Sequence, residues 1–238
     1  MSIDSTMIHV IRAFPVIGDL APLFVSGNVA PIPPATPGTT RVACVGDSVT
    51  YGAFLKDRAR NCYPAQLQAL LGDAYSVRNF GVDGHAVQES ADHPYCKHAN
   101  FSASGSFDPD VVLLMLGSND ARSRNWQGIE AFIRDYGVMV EHYLSLESAP
   151  RVVVLTPPAA FAVWGRRKLN YTIIGEALGA IASKVREIAV EQGLPLVDIN
   201  SATATRADVF PDGVHPDTDG ARLIATTACE HLRPLLLA

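Results

Sequence analysis

Short apolar runs alternate with longer segments of helical character from residue 41 onward, and this alternation constrains the fold more than any other feature. The apolar runs cover residues 41–45, 76–80, 111–116, 151–156 and 194–199. The segments of helical character cover residues 64–71, 128–146, 172–192 and 218–235. Such alternation predicts an α/β fold in which helices cover both faces of a parallel sheet.

The chain is long enough for one well-buried domain, with 238 residues of which 48% are hydrophobic. The proline-rich segment 31–38 predicts an extended linker, because proline fixes φ and disfavours helix in the residue before it. We therefore predict an N-terminal arm over residues 1–38 and a single catalytic domain over 39–238. Residues 7–14 of the arm could form a strand that pairs with the main sheet or with another subunit, which would make a homo-oligomer; the alternative is a loosely packed terminus.

The charge pattern excludes several classes of partner. The net charge is -5 and no basic stripe is present, so nucleic acid is not an expected partner. No uncharged apolar run reaches the roughly 20 residues that span a bilayer. Asp4, Arg12 and Asp19 interrupt the first apolar stretches, which is not typical of a secretory signal. We therefore expect a soluble, cytoplasmic protein.

The four cysteines show no CxxC spacing that would indicate a metal or redox site. Cys44 falls inside an apolar run, whereas Cys62, Cys96 and Cys229 lie outside these runs. Four cysteines allow three pairings, among which the sequence does not choose. Free, mostly structural thiols are the favoured interpretation, and a Cys62–Cys96 bridge is the alternative for an exported protein.

The motif GDSVTYG, at residues 46–52, places Ser48 where a strand ends and a helix begins. A serine hydroxyl is a weak nucleophile and needs a nearby base. His215 is a candidate base because imidazole titrates near neutral pH, and Asp212 lies three residues before it, close enough to orient the ring. The alternative for each segment is structural: a turn with a helix cap around Ser48, and a turn with a helix entry around His215.

Acyl transfer at a serine also needs hydrogen-bond donors directed at the developing oxyanion. Asn119 can supply a side-chain amide, and it follows the run 111–116 through a sharp turn at Gly117. The backbone N–H groups of Gly84 and of Ser48 itself are the other candidates. The motifs that contain Ser48, Gly84 and Asn119 each follow an apolar run, so a parallel sheet would bring them to the same edge.

Taken together, these motifs resemble the SGNH hydrolases, the superfamily that includes the GDSL esterases and lipases. Its four signature residues correspond to Ser48, Gly84, Asn119 and His215, with Asp212 as the acid, and the resemblance spans residues 41 to about 230. The resemblance implies a flavodoxin-like three-layer α/β/α sandwich and hydrolysis through an acyl-serine intermediate. It also implies that neither a metal nor an organic cofactor is needed. Asp120 is expected to brace the loop of Asn119.

Within that superfamily, the segments 46–72, 79–84 and 209–216 look most like the carbohydrate acetylesterase branch, including sialate O-acetylesterase-like proteins. The resemblance thus predicts a small-molecule ester substrate with a short acyl group, acetyl above all, on a sugar or comparable alcohol. The alternatives are a lysophospholipase or acyl-CoA thioesterase, and a binding module without catalysis. A flavodoxin-like protein that binds phosphate or flavin would leave the downstream motifs without a purpose.

Two loops are predicted to set specificity, one over residues 121–126 and one over 161–168. They offer aromatic faces and cations that suit sugar rings or an acidic substrate, although many such residues are only solvated or packed: Trp126, Trp164, Arg122, Arg124, Arg166 and Arg167. His85, directly after Gly84, departs from the small or apolar residue expected there. It either lines the pocket or has no role in it.

Overall fold

A computed structural model describes residues 33–163 and 169–237 of the chain. In chain order, its strands and helices are β1 (Thr40–Gly46), α1 (Ser48–Tyr51), α2 (Arg58–Asn61), α3 (Tyr63–Leu71), β2 (Tyr75–Gly81), α4 (Ala99–Ser106), β3 (Val111–Met115), α5 (Ile129–Leu144), β4 (Arg151–Leu155), α6 (Gly175–Glu191), β5 (Leu196–Val197), α7 (Ile199–Thr203) and α8 (Thr218–Leu237). Short 3-10 helices cover Tyr95–Lys97, Asn170–Thr172 and Ala207–Val209.

The five strands form one parallel sheet in the order β2-β1-β3-β4-β5. This is the flavodoxin-like order, and ligands of such sheets bind beyond the carboxyl ends of the strands where the order reverses. The reversal lies between β1 and β3, and Gly46 at the end of β1 is in register with Gly81 of β2 and Met115 of β3. The predicted α/β sheet is confirmed, and the carboxyl ends of β1, β2 and β3 meet at one place.

Helices pack on both faces of the sheet, which gives three layers. Along β1, Ala43 and Val45 face one hydrophobic core, and Val42 and Cys44 face the other. The first core is completed by α5 and α6, and the second by α3 and α8. Strands buried on both faces read as continuous apolar runs rather than as alternating ones, which is why the runs were visible in the sequence.

The fifth strand and helix α6 depart most from their predicted bounds. The fifth strand is only two residues long, because Asp198 ends it and caps α7 by accepting a hydrogen bond from the backbone N–H of Ser201 at 3.2 Å. Helix α6 begins at Gly175 rather than at 172, since Tyr171 and Thr172 have φ angles of 58° and 57°. Helix α4 was not predicted, because its sequence ANFSASGS lacks an apolar period.

Most of the predicted arm, including residues 7–14, lies outside the described residues. The end of the linker contacts the edge strand β2: the guanidinium of Arg78 donates to the carbonyl oxygens of Pro33 and Pro34, and the backbone N–H of Thr36 donates to Ser76 Oγ.

All four cysteines are free thiols, as favoured from the sequence. Cys44, Cys62 and Cys229 are buried, and Cys96 is half-buried. The alternative Cys62–Cys96 bridge is not formed. None of the helices in the described ranges has the length and apolar character that a bilayer crossing demands.

Candidate active site

Ser48 lies at the carboxyl edge of the sheet because β1 passes almost directly into α1. Asp47 stands between them as the N-cap of α1, and its Oδ1 accepts a hydrogen bond from the backbone N–H of Val49 at 3.0 Å. The turn is tightly packed, since a Cβ on Gly46 would lie 2.0 Å from Oγ1 of Thr50. The sequence GDS therefore serves as a helix cap, and the same cap fixes the position of the serine.

The structure brings three of the predicted site residues into one hydrogen-bonded chain. The hydroxyl of Ser48 lies 2.9 Å from Nε2 of His215, although the two residues are 167 positions apart in the sequence. Nδ1 of His215 lies 2.8 Å from Oδ2 of Asp212. An ionised carboxylate only accepts hydrogen bonds, so Nδ1 carries the proton and Nε2 is left to accept one from the serine. This geometry suits a base that withdraws the hydroxyl proton.

The loop from Asp212 to His215 is held in shape by its own backbone. Oδ1 of Asp212 accepts hydrogen bonds from the backbone N–H groups of Val214 at 2.9 Å and His215 at 2.7 Å. Gly213 has a φ of +80°, and a Cβ there would lie 2.0 Å from the carbonyl oxygen of Phe161. An Asp-Gly turn of this kind needs both residues. The imidazole is therefore presented by a fixed turn.

A second segment, which the sequence analysis did not single out, contacts the same aspartate. The hydroxyl of Tyr171 donates to Oδ2 of Asp212 at 2.7 Å, and Nδ2 of Asn170 donates to the backbone oxygen of Asp212 at 2.6 Å. The ring of Tyr171 also packs edge-on against the imidazole of His215, with 5.1 Å between the ring centroids. Neither residue belongs to a motif, so nothing in the sequence marked them.

The predicted oxyanion donors lie around one cavity. Ser48, Gly84 and Asn119 all line it. Gly84 has a φ of +76°, a conformation that glycine adopts without strain. The Nδ2 group of Asn119 donates to the carbonyl oxygen of His85 at 3.0 Å and lies 3.5 Å from Oδ2 of Asp47. The amide is thus anchored next to the backbone of Gly84, where the oxyanion was expected.

Asp120 braces this part of the site, as the resemblance implied. Its two carboxylate oxygens accept hydrogen bonds from the backbone N–H groups of Val87 at 3.0 Å and Gln88 at 2.8 Å. These bonds tie the loop after β3 to the segment that follows Gly84. Burial raises the pKa of Asp120 to about 6, even though the hydrogen bonds oppose the shift.

Asp47 is the other buried carboxyl group beside the nucleophile. Burial raises the pKa of Asp47 to about 7, and the nearby carboxylates of Asp83 and Asp120 act in the same direction. The hydrogen bonds from Val49 and Ser118 lower it. A carboxyl group that changes charge near neutral pH therefore lies directly before Ser48 in the chain.

His85 contacts other histidines instead of lining the cavity. Its ring lies 4.9 Å from that of His98 and 5.6 Å from that of His93, measured between centroids. Burial lowers the pKa of His85, and the two neighbouring histidines add to this effect. Within the described ranges, no group of three or more His, Cys, Asp or Glu side chains is arranged to hold a metal ion. The contribution of His85 to the site is its backbone oxygen, which accepts from Asn119.

The predicted specificity loops are only partly described. Arg122 is 3% exposed and lines the cavity, and its Nε donates to the backbone oxygen of Tyr171 at 3.1 Å. Arg124 instead forms an ion pair with Asp92 away from it, and Trp126 packs against the core. The remaining candidates of the second loop lie outside the described residues: Trp164, Arg166 and Arg167.

The cavity beside Ser48 is small. Its volume, as bounded by the described residues, is about 20 Å³, little more than one buried water requires. Its lining comes from the ends of three strands and from two loops: Ser48, Asp83, Gly84, Ser118, Asn119, Arg122, Tyr171, Ile173, Val214 and His215. Polar donors, a candidate base and a hydroxyl therefore converge on a space for a few atoms.

Comparison with known proteins gives one curated relative. An acetylxylan esterase of Xylanibacter ruminicola is 32% identical over 213 residues, a match that covers 82% of this chain and 43% of the relative. The chain thus spans less than half the length of that protein.

Solved structures show the same fold at lower identity. A carbohydrate acetylesterase from Sinorhizobium meliloti has a TM-score of 0.69 at 19% identity, covering 83% of this chain and 100% of its own. The inhibitor-bound aryl esterase of M. smegmatis has a TM-score of 0.70 at 20% identity, with the same coverage of 83% and 100%. The model of the GDSL-like lipase/acylhydrolase family matches residues 44–223. The chain therefore belongs to the GDSL-like lipase/acylhydrolase family.

Proposed function

We propose that this protein is a serine esterase that removes short acyl groups, acetyl above all, from carbohydrate-type alcohols. The observation that carries the proposal is the hydrogen-bonded chain from Ser48 through His215 to Asp212. Gly84 and Asn119 line the same cavity as the serine hydroxyl, where an oxyanion would form. Nucleophile, base and oxyanion donors are the three elements that acyl transfer needs.

In the acylation step, Oγ of Ser48 attacks the ester carbonyl carbon while Nε2 of His215 takes the hydroxyl proton. Asp212 stabilises the imidazolium through its bond to Nδ1. The carbonyl oxygen, now negative, accepts hydrogen bonds from the backbone N–H groups of Ser48 and Gly84 and from Nδ2 of Asn119. The amide of Asn119 has two N–H groups: one keeps its bond to His85, and the other turns from its long 3.5 Å contact with Asp47 to the oxyanion. The C–O bond of the ester then breaks, and the alcohol leaves with the proton from His215.

Deacylation repeats these steps with water. His215 takes a proton from the water molecule as the water oxygen attacks the acyl-serine, and the same donors stabilise the second oxyanion. Breakage of the bond to Oγ releases the carboxylic acid, and the proton returns to Ser48. The proton that passes between Ser48 and His215 in both steps crosses the 2.9 Å between Oγ and Nε2.

Two observations support a short acyl group and a carbohydrate alcohol. The cavity beside Ser48 is small, about 20 Å³ as bounded by the described residues, which favours a short acyl group, whereas a lysophospholipase or acyl-CoA thioesterase needs a long apolar tunnel. The similar proteins include an acetylxylan esterase and a carbohydrate acetylesterase by name.

The four free thiols suit a reducing compartment and so support a cytoplasmic location.

The proposal is tested by initial rates on p-nitrophenyl esters from acetate to decanoate, with Ser48→Ala as the matched variant. Turnover should be fastest for acyl chains of two to four carbons, and Ser48→Ala should lower kcat by about 10⁴-fold or more without unfolding the protein. Release of acetate from acetylated xylan then tests the carbohydrate alcohol.

The other outcomes point to other functions. An optimum at eight carbons or more would favour a lipid substrate. Full activity in Ser48→Ala would refute the mechanism. Absence of turnover, together with no labelling of the wild-type protein by a fluorophosphonate, would favour a binding module without catalysis.

A further inference from the structure

Asp212, the acid of the proposed mechanism, is surrounded by four hydrogen-bond donors. Its Oδ1 accepts from the backbone N–H groups of Val214 and His215, and its Oδ2 accepts from Nδ1 of His215 and from the hydroxyl of Tyr171. An ionised carboxylate has about four lone-pair sites, so these donors fill it. Three of these donors come from the turn of Asp212 itself, and the fourth, the tyrosine hydroxyl, comes from a described segment 41 positions earlier in the chain.

The tyrosine is held where it can serve both the aspartate and the histidine. Its ring packs edge-on against His215, at 89° between the ring planes, while its hydroxyl binds the oxygen that also binds the imidazole. Phe54 packs edge-on against the imidazole as well, with 5.2 Å between centroids. Among the described residues, the imidazole therefore contacts the rings of Phe54 and Tyr171, and the hydroxyl of Tyr171 also reaches the carboxylate.

The backbone of this segment is fixed by the loop that follows β3. Nε of Arg122 donates to the carbonyl oxygen of Tyr171 at 3.1 Å, and the backbone N–H of Ser123 donates to the carbonyl oxygen of Thr172 at 3.0 Å. The backbone N–H of Ile174 donates to Ala121 at 2.8 Å. Positive φ angles at Tyr171 and Thr172 are uncommon for residues other than glycine, and such conformations concentrate at functional sites.

From these contacts we infer that Tyr171 is a positioning residue for the proposed esterase reaction, acting through Asp212. Its hydroxyl holds the carboxylate in the rotamer that faces Nδ1 of His215, and so keeps Nε2 directed at Ser48. It also shares the negative charge of Oδ2. Without that hydroxyl, the carboxylate would attract the imidazolium proton more strongly, and Oδ2 would lose one of its two described hydrogen bonds while Oδ1 keeps its bonds to the backbone. This inference rests on the proposed function only for its effect on rate.

The test is Tyr171→Phe, which keeps the ring against His215 and removes only the hydroxyl. The matched control is Tyr143→Phe, which removes a buried tyrosine hydroxyl that bonds Ser104 away from the site. We expect Tyr171→Phe to lower kcat on p-nitrophenyl acetate by about tenfold, from the size of a hydrogen bond to a charged group. KM should stay within about twofold, because the ring still lines the cavity.

The pH profile of kcat/KM separates a positioning role from a merely structural one. In Tyr171→Phe its acidic limb should move to higher pH, because the imidazolium is stabilised more strongly by a carboxylate that has lost a donor. The other charged groups that line the cavity, Asp83 and Arg122, are present in both proteins, so their titration does not create this difference. Tyr143→Phe should leave the limb in place even if it lowers Tm.

A substrate-free measurement keeps this inference distinct from the proposed function. The Nδ1 proton of His215, bound to Asp212, should give a low-field proton NMR resonance that is absent in His215→Gln. Tyr171→Phe should shift or broaden that resonance whether or not the wild-type protein hydrolyses any ester. An unchanged resonance, with kcat and the acidic limb equal to those of the wild type, would overturn the inference.

Discussion

The two halves of the candidate site are built in different ways. The half that holds Ser48 is made by backbone packing at strand ends: a Cβ on Gly46 would lie 2.0 Å from Thr50, and one on Gly81 would lie 2.2 Å from the backbone nitrogen of Tyr51. The half that holds His215 is made by side-chain hydrogen bonds between loops. A change of residue should therefore damage the first half through stability and the second through chemistry.

The difference follows from the location of each half. The end of β1 lies in the middle of the sheet between β2 and β3, so steric fit leaves little choice of residue or conformation. The turn of His215 lies outside the sheet, and the ring is fixed by hydrogen bonds to nearby side chains and by edge-on packing against Tyr171 and Phe54. Such bonds can be removed one at a time without filling or emptying the core.

The largest effect is expected for Asp212→Asn in the second half. Its backbone-bound Oδ1 can keep its two hydrogen bonds, but an amide group in place of Oδ2 would face the donors on His215 and Tyr171. The imidazole would then favour the wrong tautomer, and kcat should fall by roughly 10⁴-fold. Steady-state kinetics and thermal unfolding check this.

The control for this variant is Asp208→Asn, an exposed carboxylate that pairs with Arg206 a few residues earlier in the chain. Activity should be retained in the control, and both variants should unfold close to the wild-type temperature. If Asp212→Asn keeps more than about a tenth of the wild-type kcat, the aspartate does not hold the base.

The next effect is expected for Gly46→Ala in the first half. Because its Cβ would overlap Oγ1 of Thr50 and approach the carbonyl oxygen of Met115 to 2.6 Å, the turn must shift. We expect a loss of about 3 kcal/mol in the free energy of unfolding, measured by urea denaturation. Gly137→Ala is the control: it lies inside α5 with no atom within 4 Å of the added Cβ.

The control should be stabilised by up to about 1 kcal/mol, since alanine favours the helix over glycine. Equal urea midpoints for the two variants would contradict the view that the Ser48 half is fixed by packing. If Gly46→Ala is destabilised but retains the wild-type kcat, the turn at Gly46 does not set the position of Ser48.

The contrast between packing in the first half and hydrogen bonds in the second explains which parts of the site could be predicted from the sequence. The strands were visible because both faces of the sheet are buried, and Ser48, Gly84 and Asn119 each follow such a strand. Their convergence at the sheet edge could therefore be predicted from order alone. The Asp212-Gly213 turn was visible as well, because its geometry depends on local sequence.

The hydrogen bond from Tyr171 to Asp212 in the second half could not be predicted in this way. Tyr171 and Asp212 are 41 positions apart, and their contact depends on how two irregular segments fold over the site. The left-handed backbone at Tyr171 and Thr172 contradicts the helical pattern assigned from 172 onward, because hydrogen bonds to the loop after β3 determine it. The short β5 was overestimated for a similar reason, since Asp198 caps a helix.

Asp47 belongs to the first half and also contacts Asn119, and its replacement by Asn gives the smallest expected effect on rate. Its Oδ2 lies 3.5 Å from Nδ2 of Asn119, so an amide group placed there would oppose another amide and move the oxyanion donor. We expect kcat to fall about tenfold. The cap of α1 can survive, because Oδ1 of the new residue can still accept from Val49.

The free energy of unfolding of Asp47→Asn, unlike its kcat, should gain relative to that of the wild type as the pH rises. The pKa of Asp47 is raised to about 7 from an ordinary value near 3.9, so the folded protein binds this proton more tightly than the unfolded chain does. The wild type must therefore lose stability as the pH rises from about 4 to 7, by at most about 1.4 kcal/mol per pH unit for this group. Asp120, with its pKa raised to about 6, contributes to the lower part of that window.

Urea unfolding between pH 5 and 8 checks this expectation, with Asp73→Asn, an exposed carboxylate, as the control. Between pH 6 and 7, the free energy of unfolding should fall less in Asp47→Asn than in the wild type or the control. If the three proteins decline in parallel, Asp47 is already ionised across that range, and its charge would be available to hold Asn119 at any pH where the enzyme works. If the free energy of unfolding falls less in Asp47→Asn and its kcat is also lower, then the buried carboxyl group of Asp47 destabilises the fold but positions the oxyanion donor.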